Sequence, residues 1–182
     1  SHELRTPMTS IRGYAELLIK GLAGPLTQQQ ADFVRTVRNN AARMQILVSD
    51  LQDISRLEAG KLWLEMEPTA LTDALKNALQ AVEGQIEARS QELQVEVAQD
   101  LPLTYADPAR LTQIITNLLS NGSKYTPEGG EIRVRAWLEG GDVHCAVSDT
   151  GIGISPADQA RLFTKFFRSE DPEVRAQTGT GL

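Results

Sequence analysis

Ser1-His2-Glu3-Leu4-Arg5-Thr6-Pro7-Met8 opens the chain. Imidazole titrates near neutrality, so the neutral ring of His2 can act as a nucleophile at physiological pH. Glu3, next in sequence, can take the proton the ring loses or orient the ring. Taken alone, the pair is equally an ordinary polar couple on a helix surface, and the residues beyond it decide between the two. Leu4, Met8, Ile11, Ala15, Leu18 and Leu22 recur in alternating steps of four and three residues. That is the seam of a helix packed in a coiled coil or bundle. His2 lies two residues before the seam, so it faces solvent, as a group that must be reached by another domain requires. Pro7 cannot donate to the helix ladder and is expected to kink or weaken the first turn. No capping signal precedes His2, so the helix is expected to begin upstream.

Working outward, Gly21, Gly24 and Pro25 end the first helix at about Leu22. Thr27, with Gln30 three residues on, forms a capping box for a second helix. This helix is expected to run to Ala59, with Gly60 as its stop. Its seam is Phe33, Val37, Met44, Leu47, Leu51 and Ile54. A hairpin with one apolar face cannot bury that face alone, but two hairpins make a four-helix bundle. A homodimer through residues 1–66 is therefore expected; the alternative is that the seam packs on the following domain.

The 182 residues are enough for one large or two small domains. A hydrophobic content of 41% supports a packed core, and a net charge of −6 argues against a nucleic-acid partner. A single cysteine excludes an internal disulfide and suits a reducing compartment. No apolar run approaches transmembrane length, so a cytoplasmic segment is expected, with membrane anchoring of any longer parent left open.

Composition changes after the hairpin. Leu62 to Pro68 reads as a short strand. Thr69–Arg89 reads as a helix with Leu71, Leu75, Ala78, Leu79, Val82 and Ile86 on one face. Leu93, Val95 and Val97 alternate as a strand, and Leu101–Tyr105 is a second candidate. Asp107-Pro108 opens a helix reaching about Ser123. Ile132, Val134 and Ala136, then Val143, Cys145 and Val147, alternate on either side of Gly140-Gly141 and read as a hairpin. Residues 67–182 are thus expected to form an α+β domain with helices on one face of an antiparallel or mixed sheet.

Four stretches of this second domain carry chemistry. In Asn117-Leu118-Leu119-Ser120-Asn121-Gly122-Ser123-Lys124-Tyr125, the two asparagines share a helix face and Lys124 lies one turn on. An amide oxygen can ligate Mg²⁺ without quenching its charge, and a lysine can meet a phosphate. Asp149-Thr150-Gly151-Ile152-Gly153 follows a strand. Asp-Thr-Gly also marks aspartic proteases, but those need two such aspartates, and no second Asp-Thr-Gly occurs here. Leu162-Phe163-Thr164-Lys165-Phe166-Phe167-Arg168 offers aromatics, Phe163 and Phe166, expected to anchor a helix on the core. Gly179-Thr180-Gly181-Leu182 is a short glycine-rich loop. His144 and Cys145 read as plain strand residues.

Ser1 to Pro7 resembles the phosphoacceptor box of sensor histidine kinases, and the four stretches resemble that family's asparagine, first glycine, phenylalanine and second glycine boxes, in order. The resemblance spans nearly the whole chain. It implies a dimeric four-helix bundle over residues 1–66, followed over 67–182 by a Bergerat-type sandwich, the fold shared with DNA gyrase and mismatch-repair ATPases, here C-terminally incomplete. It implies that His2 accepts the γ-phosphoryl group of ATP and passes it to an aspartate of a response-regulator receiver domain, with a sensor region upstream. Asn121 is then the Mg²⁺ ligand, and Asn117, Lys124 and Tyr125 contact phosphate or ribose. Asp149 reads the adenine amine, while Gly151 and Gly153 let backbone approach the ring. Arg168 reaches the γ-phosphate; Gly179, Thr180 and Gly181 wrap phosphate; residues 169–178 form a mobile lid. His2-Glu3-Leu4-Arg5-Thr6 also matches members in which the threonine holds a water for dephosphorylating the regulator. Two rivals remain: a related ATPase without phosphohistidine, and a catalytically silent scaffold that binds a regulator.

Overall fold

The computed structural model describes residues 2–164 and 167–176, which divide into two compact units between Trp63 and Leu64. In the first, α1 (His2–Ile19) and α2 (Gln28–Glu58) form an antiparallel hairpin. Its register is visible in the cross-helix hydrogen bonds: Arg5 donates to Gln52 and Arg12 to Gln45, at 3.1 Å each, and Gln45 donates to Thr9 at 2.9 Å. Gly21 and Gly24, at φ +75° and +104°, supply the left-handed backbone of the turn. The capping box forms as the sequence predicts: Gln30 N donates to Thr27 Oγ1 and Thr27 N to Gln30 Oε1. At the far end, Gly60 N bonds Leu57 O and Lys61 N bonds Arg56 O, closing a Schellman motif with Gly60 at φ +63°. Pro7 sits inside α1, which continues through it.

Among the described residues of the hairpin only Met8, Ala15 and Ala41 are buried, two of them small enough to let the helices approach. Leu4, Ile11, Phe33, Val37, Met44 and Leu51 remain exposed, between 46% and 62%. The seam therefore consists of two parts, a few residues that join α1 to α2 and a longer apolar stripe that neither helix covers.

The second unit is built on a mixed sheet in the order β2 (Glu92–Val97), β4 (Glu131–Glu139), β5 (Asp142–Asp149). β2 runs parallel to β4, and β4 antiparallel to β5 across the Gly140-Gly141 turn. α3 (Leu71–Ala88) and α4 (Pro108–Tyr125) cover one face. Their apolar stripes, Leu71, Leu75, Ala78, Val82 and Ile86 with Ile115 and Leu119, meet Ile132, Val134 and Ala136 in one core. Asp107 caps α4 as expected, accepting from Ala109 N and Arg110 N at 3.0 and 3.1 Å, with Pro108 in the first turn. These backbone bonds, together with one from Glu65 N, hold its carboxyl below the usual range.

The expected strand over 62–68 is displaced. Leu62–Met66 have no strand partner and Trp63 is 89% exposed, whereas β1 (Glu67–Thr69) pairs antiparallel with β3 (Thr104–Ala106) as a separate two-stranded ladder. Pro68 lies inside the strand rather than ending it, which a two-stranded edge tolerates.

Candidate functional site

The end of α4 and the end of β5 are brought together. Gly122 has no side chain there, and a Cβ would already touch Val147 and Asp149 at 3.7 and 3.8 Å. The helix thus lies flat against the strand, and Asn121, Lys124 and Tyr125 end up beside the turn that begins at Asp149. Thr150 ties this turn to β4: its Oγ1 accepts from Glu131 N at 3.0 Å and its N donates to Glu131 O at 3.1 Å. Asp149 Oδ1 accepts from Gly151 N at 2.9 Å, leaving Oδ2 for a ligand. Gly151 is required by close approach, since a Cβ would sit 2.6 Å from Tyr125 O. Ile152 N donates to that same carbonyl at 3.3 Å. Gly153 is at φ +71°.

Asn117 and Asn121 are both exposed on one face of α4, and neither carboxamide has a hydrogen-bond partner among the described residues. Lys124 Nζ donates to Tyr125 OH at 2.8 Å and lies 4.4 Å from its ring centroid, so these two residues act as a couple. The described residues hold no cluster of three or more His, Cys, Asp or Glu able to bind a metal. A magnesium ion does not need one, because it is often held by one or two protein oxygens plus phosphates and water. The open carboxamide of Asn121 fits that role.

Beyond the turn, α5 (Pro156–Gln159) is a single turn capped by Ser155 Oγ, which accepts from Asp158 N. Phe163 does not anchor on the core as expected, being fully exposed, and Phe166 lies outside the described residues. Phe163 lies beyond the end of α5, in a turn rather than on a helix face. The following segment is held by other contacts instead. Ser169 Oγ donates to Asp158 Oδ2 at 2.6 Å, and the Arg161 guanidinium lies 4.4 Å from the Phe167 ring centroid. Arg168 donates to Val174 O at 3.2 Å, at the short α6 (Pro172–Ala176). Gly179, Thr180 and Gly181, and the rest of the expected lid from Gln177 on, lie outside the described residues.

On the hairpin, the backbone of His2 opens α1, and its side chain lies outside the described residues. Glu3 and Thr6 follow on the exposed first turns. His144 and Cys145 are strand residues as expected: His144 stacks on Trp137 with centroids 5.3 Å apart, and burial raises the Cys145 thiol pKa. Among the described residues no helix is long and apolar enough to cross a membrane.

Comparison with known families settles the class. Residues 1–60 match the His Kinase A (phospho-acceptor) domain, and residues 106–182 match the histidine kinase-, DNA gyrase B- and HSP90-like ATPase domain. The chain belongs to the sensor histidine kinases. Among curated histidine kinases it is 39% identical to the circadian input-output histidine kinase CikA of Synechococcus elongatus, over all of this chain and 24% of that protein. It is also 39% identical to the sensor protein GacS of Pseudomonas syringae pv. syringae, over all of this chain and 20% of that protein. The chain thus spans between a fifth and a quarter of these relatives. Among solved histidine kinases, full-length ShkA in complex with AMPPNP superposes with a TM-score of 0.74 at 30% identity, covering all of this chain and 37% of that one. The helical hairpin followed by the mixed-sheet ATPase domain is the arrangement of this family.

Sequence reading singled out Asn117, Asn121, Asp149, Gly151 and Gly153 of this candidate site. It missed Thr150, whose hydroxyl bridges to Glu131, and Gln91, which grips the end of α4 from another element. Thr150 is read only as the middle of Asp-Thr-Gly, and Gln91 belongs to no recognisable motif; each acts through contacts distant in sequence.

Proposed function

We propose that the chain phosphorylates itself on His2 with ATP and hands the phosphoryl group to an aspartate on a response-regulator receiver domain. The observation that carries this is the pairing of a phosphoacceptor hairpin with a site in which the Asn117 and Asn121 carboxamides and Asp149 Oδ2 are left open, while Thr150, Gly151 and Ile152 beside them are hydrogen-bonded. Asp149 accepts a hydrogen bond from the exocyclic amine of adenine, and Gly151 lets the ring approach the backbone. Asn117, Lys124 and Tyr125 orient the phosphates and ribose. Asn121 contributes its amide oxygen to Mg²⁺, which when bound supplies charge neutralisation between the phosphates. Arg168 and the loop of Gly179, Thr180 and Gly181 complete the phosphate contacts.

In the transfer, a neutral ring nitrogen of His2 attacks the γ-phosphorus. The N–P bond forms as the bond to the β-phosphate oxygen breaks, ADP leaves, and the ring proton passes to Glu3. The receiver aspartate then takes the group from His2. Homodimerisation through residues 1–66 covers the apolar stripe, residues 67–182 serve as the catalytic domain, and a sensor region precedes the hairpin in the full-length protein. Thr6, one turn after His2 on the same face, positions a water that attacks the regulator's aspartyl-phosphate, giving a second, phosphatase activity. The nucleotide assignment is tested by calorimetric titration with ATP and GTP. ATP is expected to bind at least tenfold more tightly, because guanine presents a carbonyl where Asp149 needs a donor. Equal affinity for the two would contradict the role of Asp149.

A further inference from the structure

The end of α4 is held by a residue that belongs to no nucleotide-binding motif. α3 ends at Arg89, Ser90 takes left-handed backbone at φ +50°, and Gln91 N donates back to Ile86 O at 3.1 Å. This turn points the Gln91 side chain inward, where the residue is 8% exposed. Its carboxamide is fully engaged. Nε2 donates to Ser123 O, Thr126 O and Pro127 O at 2.9, 2.8 and 3.2 Å, and Oε1 accepts from Ser123 Oγ at 2.7 Å. Two amide hydrogens serve three carbonyls, so at least one bond is shared. These carbonyls belong to the last turn of α4 and the residues just past it, groups that a helix cannot satisfy by itself.

The neighbouring residues repeat the grip. Arg89 donates to Thr126 O at 3.0 Å, Gly129 N donates to Arg89 O at 3.0 Å, and Glu92 N to Gly130 O at 2.9 Å. On the opposite side of the same helix end, Tyr125 O receives Ile152 N and stands against Gly151, with no room for a Cβ. A shift of the α4 terminus therefore moves Asn121, Lys124 and Tyr125 together, and displaces the glycine turn that carries Asp149.

We propose that Gln91 is a positioning residue for the nucleotide site: it fixes the end of α4, and through Tyr125 the Asp149 turn, in the geometry that receives ATP. The proposal rests on the assignment of this site to ATP. It assigns no contact between Gln91 and nucleotide; the side chain acts from the far side of the helix end. Removing its donors leaves Ser123 O without the Gln91 bond and loosens the hold on Thr126 O and Pro127 O, which keep only Arg89 and Gly130 N.

The test is calorimetric titration of the 182-residue chain with ATP and Mg²⁺, well below the melting temperature. It compares wild type with Gln91→Met, which keeps the volume and loses the donors. Ser123→Ala, which removes only the bond to Oε1, is the milder second variant should Gln91→Met fail to fold. Val82→Ala, on α3 and 2% exposed, is the control for lost stability alone. Gln91→Met is expected to raise the Kd for ATP about tenfold and Ser123→Ala about threefold, with hydrogen exchange faster at residues 122–127. Val82→Ala is expected to lower the melting temperature with Kd unchanged. An unchanged Kd in whichever of Gln91→Met and Ser123→Ala folds, or an equal rise in Val82→Ala, would overturn the positioning role while leaving the nucleotide assignment in place. Absence of ATP binding by the wild type would overturn both.

Discussion

At Gly151 the space for a side chain is already taken by the Tyr125 carbonyl. Gly151→Ala is therefore expected to push the turn off the end of α4, costing about 2 kcal/mol of stability and most of the ATP affinity. Thermal melting and nucleotide titration check both. Asp149→Asn keeps the size of the side chain and puts a donor in reach of the adenine amine. ATP binding is expected to weaken by about 1–3 kcal/mol with the fold intact, as calorimetry reads out. Thr6→Ala separates the two proposed activities of the first turn of α1. Autophosphorylation and transfer are expected to persist while dephosphorylation of a separately phosphorylated regulator is largely lost. Wild-type dephosphorylation by this variant would remove the threonine from the reaction.

Among the elements, the hairpin carries the most unfinished surface. Phe33, Val37, Met44 and Leu51 stand exposed along α2 at seam spacing, in a helix whose two ends are fully capped. A second hairpin covering this stripe satisfies the proposed homodimer. Val37→Glu combined with Met44→Glu is expected to convert the chain to a folded monomer, measured by sedimentation with helicity followed by circular dichroism. An unchanged dimer would place the interface elsewhere. Asp50, also on α2, has its carboxyl pKa raised above the ordinary 3.8 by burial and by the charge of Asp53. The folded hairpin thus binds this proton more tightly than the unfolded chain does. Its contribution favours folding fully below the ordinary value and is lost as pH rises through the raised one. Asp50→Asn is accordingly expected to stabilise the chain modestly at neutral pH, with the gain vanishing as pH falls below the carboxylate range. Melting curves across pH measure this.

Over the whole molecule, what the sequence made legible was whatever is encoded locally. The Thr27–Gln30 capping box, the Gly60 stop, the Asp107-Pro108 helix start and the alternating strands about Gly140-Gly141 all depend on residues a few positions apart, and all form. What depends on distant partners was not legible. The strand expected over 62–68 fails because pairing with β3 begins only at Glu67. Phe163 reads as a core residue by its apolarity, yet it lies beyond α5 in a turn that leaves it fully exposed. The grip of Gln91 on α4 spans more than thirty residues and uses a residue type that carries no motif. The candidate site was legible in the residues proposed to face the ligand, because those lie in motifs, and illegible in the residues that hold them. The central claim, that the hairpin histidine receives the γ-phosphoryl group of ATP, is tested most directly by incubating the chain with γ-labelled ATP and Mg²⁺. The label is predicted to appear on the protein as an acid-labile, base-stable phosphate that maps to His2 and is absent in His2→Gln, a variant that still binds ATP. Labelled free phosphate with no labelled protein, or label persisting on His2→Gln, would contradict it.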